Sequence, residues 1–150
     1  MKFVTAAAMR EGEGRAILKT AALDRAMMER AGQGLASALQ PIVRRLDPPD
    51  PVIRMIAGPG NNGGDIFAAA LFLYGMGLKP EIWIACPATK LKGSARYFFD
   101  RVVAAEIPCQ EMADERDWNL DDEFSWPPIL VDGLLGTGAN PAPAGGPLLS

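Results

Sequence analysis

An α/β fold built on a parallel sheet is what this 150-residue sequence predicts, and three observations carry the prediction. Short apolar runs bounded by Gly and Pro alternate with longer stretches of helical spacing, the order in which a chain winds through a parallel sheet. The first such run leads at once into a glycine-rich loop and then a helix. The fourth ends, like the first, in a loop of glycines beside an acid. The length favours one domain, residues 1–150.

Taken in order, Thr5 to about Lys19 reads as a helix with Thr5 as N-cap, and Gly12 and Gly14 predict an interruption. Leu23, Met27, Ala31, Leu35, Ala38, Leu39 and Ile42 recur at spacings of three and four. That predicts an amphipathic helix ending before Asp47-Pro48-Pro49, with Met27 and Met28 as core filling. Pro51 opens a buried strand, Val52 to Ala57. The loop Gly58 to Gly64 follows, then a helix through Phe67, Ala70, Leu71 and Tyr74 with Gly75-Met76-Gly77 as its stop. Glu81 to Cys86 predicts a strand, Thr89 to Glu106 a helix, Ile107 to Met112 a short strand and Ile129 to Asp132 a fourth. A strand order of 3-2-1-4 would make strands one and four neighbours. Asp114 to Ser125 is acidic and aromatic and reads as a solvated connection or irregular helix, and the chain from Gly133 onward is loop-like.

Composition removes several function classes. Fifteen Lys and Arg against eighteen Asp and Glu give a net charge of −3 with no basic block, so nucleic acid and anionic membrane have no electrostatic support as partners. There is no histidine, which excludes imidazole bases, Ser-His-Asp and Cys-His nucleophiles and His-based zinc sites. Cys86 and Cys109 lack a CxxC partner and read as two quiet thiols in a reducing compartment. No run approaches the roughly 18 apolar residues of a membrane helix, and the early Arg10, Glu11, Glu13 and Arg15 do not suit a signal peptide. A cytoplasmic address is therefore expected.

Two loops could carry chemistry. Gly58-Pro59-Gly60-Asn61-Asn62-Gly63-Gly64-Asp65 lies between a predicted strand and helix, where glycines let the main chain approach a ligand and helix-start amides attract phosphate oxygens. It contains GxGxxG, but the acid that would bind ribose at the end of the second strand is missing, which weakens a conventional NAD-dependent dehydrogenase. No Lys-Ser or Lys-Thr follows, so an ordinary P-loop hydrolase is not indicated either. Two side-chain amides and a carboxylate suit hydroxyl or amide recognition and a weakly held monovalent cation. The second loop runs Val131-Asp132-Gly133-Leu134-Leu135-Gly136-Thr137-Gly138. With strands one and four adjacent, Asp132 would lie across from Asn62, although an Asp at a strand end often caps its own turn.

GPGNNGGD after a strand, MERAG at Met28 to Gly32 before it and VDGLLGTG from Val131 after it, with Leu91-Lys92-Gly93 between, resemble the YjeF N-terminal domain family, the NAD(P)H-hydrate epimerases. The resemblance implies a Rossmann-like three-layer αβα sandwich with a mainly parallel sheet. It also implies interconversion of the R and S epimers of hydrated NADH or NADPH, a cofactor-repair step. Carried over by motif, Asn61, Asn62, Gly63, Gly64 and Asp65 are substrate-binding, as are Gly136, Thr137, Gly138, Ala139, Asn140, Pro141 and Ala142. Asn62 and Asp132 match ligands of a potassium ion. The family's later strand and its DIPSG-like loop have no counterpart, so the domain is expected to be incomplete at its C-terminal end and no residue here inherits a catalytic role. Asp65 and Asp132 are the only acids near the predicted crevice. Strand four would then be an open edge, which predicts a homo-oligomer. The alternative is a non-catalytic nucleotide-binding or self-association module.

Overall fold

In a computed structural model of the chain, residues 6–118 and 129–134 are described, with side chains from residue 18 onward. Thr5, the predicted N-cap, and Asp121, Asp122 and Glu123 of the acidic stretch lie outside them.

The first element is a single helix, α1 (Ala6–Arg44), where the sequence predicts an interruption. It runs through Gly12 and Gly14 and carries Pro41 in its last turn. Each glycine costs about 1 kcal/mol against alanine, which a long cooperative helix absorbs. Its inward face also differs from the predicted one. Met28, Gly32, Ala36 and Val43 are buried, whereas Leu23, Met27 and Ile42 are 59%, 62% and 54% exposed. Met28 is core filling as expected, and Met27 is not.

The cause lies on the neighbouring helix, α2 (Asn61–Gly75). A Cβ on Gly32 would stand 2.5 Å from the Ala68 Cβ and 2.7 Å from the Ala68 carbonyl carbon. The two helices therefore meet along their smallest residues, where the backbones approach closest; of the predicted row Leu35 and Leu39 still pack against the core, and Leu23, Met27 and Ile42 are turned outward.

Between these helices β1 (Val52–Ala57) forms as predicted. Then come β2 (Lys79–Ile84), a 3₁₀ turn at Ala88–Lys90, α3 (Gly93–Ala104), β3 (Cys109–Glu111), a 3₁₀ turn at Glu115–Trp118 and β4 (Ile129–Gly133). All pairings are parallel and the order is β3-β2-β1-β4, the predicted 3-2-1-4. β4 is thus an edge among the described strands. The predicted helix from Thr89 is divided because Gly93 takes a left-handed φ of 57° after an extended Lys92. α2 ends where Gly77 turns left-handed at φ 81°, letting the Leu78 amide reach back to the Leu73 carbonyl at 3.0 Å.

Register sorts the strand side chains onto two faces. Ile53, Met55 and Ala57 align with Pro80, Ile82 and Ile84 of β2 and with Ile129, Val131 and Gly133 of β4. On this face α2 packs directly against the sheet, flanked by α1 and α3, around a core that includes Phe67, Leu73, Phe98 and Val102. The opposite face carries Arg54 and Ile56, Glu81 and Trp83, and Leu130 and Asp132. There the Arg54 guanidinium lies 4.1 Å from the Trp83 ring centre and donates to Glu81 at 3.1 Å, and Trp118 meets Trp83 edge-on.

Both cysteines are free thiols, as expected. Burial, reinforced by the Glu111 charge, pushes Cys109 up to about 11, and burial also raises Cys86. In the acidic turn Arg116 donates to both Asp114 carboxylate oxygens, which holds Asp114 below the usual carboxylate range and makes this part a solvated, self-paired connection. Among the described residues no helix is long and apolar enough to cross a membrane.

Candidate functional site

The two predicted loops meet. Where β1 ends, the Gly58 amide donates to the Gly133 carbonyl at 3.1 Å, and a Cβ on Gly58 would run into the carbonyl of Leu134. In register Ile56 pairs with Asp132 and Ala57 with Gly133. β2 and β3 lie to one side of β1 and β4 to the other, so this junction is the point where the winding direction reverses. Ligands of open α/β sheets bind at such a crevice.

The glycine-rich segment is shorter as a loop than predicted. α2 begins at Asn61, so Asn61 to Asp65 form its first turns and only Gly58 to Gly60 link strand to helix. The turn is tight enough that a Cβ on Gly63 would strike the Gly58 carbonyl oxygen, and glycine is required there. Gly60 is the N-cap, no side chain caps the helix, and no acid stands in its first turn. The start of α2 therefore presents backbone amides and the positive end of the helix dipole beside the strand ends.

Helical spacing divides the motif between two places. Asn62 is one turn before Ile66, whose side chain packs against Gly133. That puts Asn62 on the β4 side of α2, at the end of the sheet that Asp132 occupies. Ile66 is 2% exposed and packs against the sheet. Asn61 and Asp65, also one turn apart, line a groove of about 430 Å³ between α2, α1 and the start of α3. Beside it, a Cβ on Gly64 would run into the Met28 thioether of α1 and stand 3.2 Å from the Ala95 Cα of α3, so α1 and α3 both close on α2 at this glycine. Burial raises the pKa of Asp65, which is half-buried.

Asp132 is exposed, and its Oδ1 accepts the Leu134 amide at 2.9 Å. The turn-capping role is thus real, and it uses one carboxylate oxygen of two. Asp132 belongs to the sheet face opposite α2, and its second carboxylate oxygen is a hard donor at the strand end. Among the described residues no three His, Cys, Asp or Glu gather into a cluster that would hold a metal ion. The expected Gly136, Thr137, Gly138, Ala139, Asn140, Pro141 and Ala142 lie outside the described residues.

Sequence reasoning did not find the other walls of the groove. Asp24 and Met27 come from α1 and Lys92 and Ser94 from the start of α3. These residues are nearly 70 positions apart along the chain, with no local pattern linking them, and only the packing of α1 against α2 and α3 unites them.

Comparison with known proteins places this geometry. The family model for the YjeF-related protein N-terminus matches residues 24–146. The chain is 38% identical over 84 residues to the bifunctional NAD(P)H-hydrate repair enzyme Nnr of Thermofilum pendens, a match covering 56% of this chain and 16% of that protein. It is 32% identical to the NAD(P)H-hydrate epimerase of Rhodopirellula baltica over 77% of this chain and 44% of the relative. With the NAD(P)H-hydrate epimerase of Rhodobacter capsulatus it shares 30% identity over 99% of this chain and 69% of the relative. The chain thus spans less than half the length of the first two relatives. The crystal structure of yeast ynu0, YNL200c, superimposes with a TM-score of 0.61 at 21% identity, covering 79% of this chain and 50% of that one, which establishes likeness of fold. A parallel sheet in the order 3-2-1-4, a glycine turn beside its switch point and a family match over most of the sequence lead to one conclusion: this chain belongs to the YjeF-related N-terminal family.

Proposed function

We propose that the chain acts as an NAD(P)H-hydrate epimerase, interconverting the R and S forms of hydrated NADH or NADPH in cofactor repair. The observation that carries this reading is the match to the Rhodobacter capsulatus epimerase across 99% of the chain. The contact between the Gly58 turn and the end of β4 gives it a physical basis.

In this reading the uncapped start of α2 receives the dinucleotide's diphosphate, because its backbone amides and dipole favour anions without any lysine. Asn62 and Asp132 hold a potassium ion, which when bound would draw the two loops together and offset phosphate charge. Asn61 and Asp65 bind the substrate, Asp65 as an acceptor for hydroxyl groups. Gly63 and Gly64 let the main chain come close, and Gly136 to Ala142 complete the phosphate side. We assign the protein to the cytoplasm as a single domain. Incubating it with the R epimer of hydrated NADPH and following the S epimer by chromatography tests the proposal. Turnover that falls about tenfold or more in Asn62→Ala, and that depends on potassium in the wild type, is the expected result. No conversion, with or without potassium, refutes the enzymatic reading.

One observation favours a second reading, a nucleotide-binding or self-association module. β4 is an edge among the described strands and its Leu130 is 46% exposed. Such an edge pairs readily with another chain, and we propose that a homo-oligomer covers it. Size-exclusion chromatography with light scattering would detect the oligomer, and Leu130→Lys is expected to dissociate it. A wild-type monomer would remove this proposal.

A further inference from the structure

The groove that Asn61 and Asp65 share with α1 and α3 holds charged side chains that the fold does not use. Asp24, Asp65 and Lys92 all line it. Among the described residues none of these three side chains makes a hydrogen bond or ion pair, whereas Arg44, Arg54, Arg96 and Arg116 are each paired with a carboxylate. A half-buried carboxylate without a donor is an acceptor that a ligand's O–H or N–H satisfies. Two carboxylates in one groove disfavour an anionic group and suit a neutral one that offers neighbouring hydroxyls. Lys92 and Ser94 add donors, and Met27 with Met28 forms an apolar, polarisable surface against which a flat ring packs well. The volume, about 430 Å³, lies in the range of small-molecule pockets.

Resting on the dinucleotide reading above, we propose that this groove is a nucleoside subsite. Ribose hydroxyls are accepted by Asp24 and Asp65, the base packs on Met27 and Met28, and the attached diphosphate lies at the start of α2. The outward turn of Met27 and the lack of side-chain partners for Asp24 and Lys92 among the described residues then share one explanation. They form a binding surface built from residues that the core leaves out.

ADP-ribose titrated into the full chain labelled with ¹³C-methyl methionine tests this, with Met27→Leu assigning that residue among the seven methionines. The methyl signals of Met27 and Met28 are expected to move most. Asp24→Asn, at an exposed position, is expected to weaken binding about fivefold to tenfold with an unchanged melting temperature. If ADP-ribose binds, Asn62→Ala weakens it, and neither the Met27 signal nor Asp24→Asn responds, the nucleotide sits at the strand ends alone. The subsite is then refuted while the dinucleotide reading stands. Failure of ADP-ribose to bind the wild type at all overturns both.

Discussion

The two faces of the sheet are made of the same four strands and do different work. Towards α2, Ile53, Met55, Ala57, Ile82 and Ile84 are each at most 1% exposed and belong to one continuous apolar core. On the other face Ile56 and Trp83 are also buried, but they lie outside that core, among Arg54, Glu81, Leu130 and Asp132. The first face gains its stability from close packing of neutral groups, which is insensitive to pH and salt. The second is held by a charged group over an aromatic ring and a partly exposed ion pair, which are weaker and tunable. The Gly58–Gly133 junction of the candidate site lies at the sheet end where the two faces meet.

Substitutions should reveal that asymmetry by their size. Phe67→Ala on the helical side is expected to cost about 3–5 kcal/mol, since Phe67 is wholly buried and packs edge-on against Phe99 at 5.5 Å. Urea denaturation checks it, and a loss below about 1 kcal/mol would mean the core is not where stability resides. Gly32→Val should cost about 1–3 kcal/mol by forcing α1 away from Ala68. The same experiment on Gly34, where an added Cβ meets nothing within 4 Å, is the control.

Across the sheet, Arg54→Met is expected to lose about 1–2 kcal/mol, between the values for exposed and buried ion pairs, because the Arg54 side chain is 11% exposed and that of Glu81 30%. This loss, unlike that of Phe67→Ala, should shrink in high salt.

The smallest effect is expected at Asp65, and it has the opposite sign. Its folded pKa is raised by burial, so the folded state binds the proton more tightly than the unfolded chain, and stability falls as pH rises from the unfolded value through the folded one. At pH 7 the ionised group opposes folding. Asp65→Asn should therefore stabilise slightly, by less than about 1 kcal/mol given partial solvent access, and the gain should vanish at a pH below the ordinary carboxylate value. Thermal melts at both pH values decide it. A destabilised variant would mean that Asp65 supports the fold rather than a ligand.

How much of this was legible before folding depends on whether the cause is local. The end of α2 could be read because glycine occupies the left-handed position, at Gly77. The end of α3 was placed too late because Glu106 takes the same conformation, at φ 58°, with a residue type that gives no signal. Alternation pointed to a parallel sheet, and the order 3-2-1-4, considered as the one that would bring the two glycine loops together, is the order found. The inward face of α1 followed from hydrophobicity only in part: Leu35 and Leu39 pack inward as expected, but beside α2 the row of small residues fits more closely than the row of large ones.

The amino-acid order by itself determined the alternating elements, the parallel sheet, the glycine turn that only Gly63 can make and the family to which these belong. Such features arise from backbone sterics and from periodicities of a few residues, which any stretch of sequence carries within itself. Tertiary structure alone decided that Met27 faces outward and that Asp24 and Lys92 join one groove with Asn61 and Asp65. Those outcomes depend on how closely two helices approach, a quantity set jointly by side chains distant in the chain and written in neither helix alone.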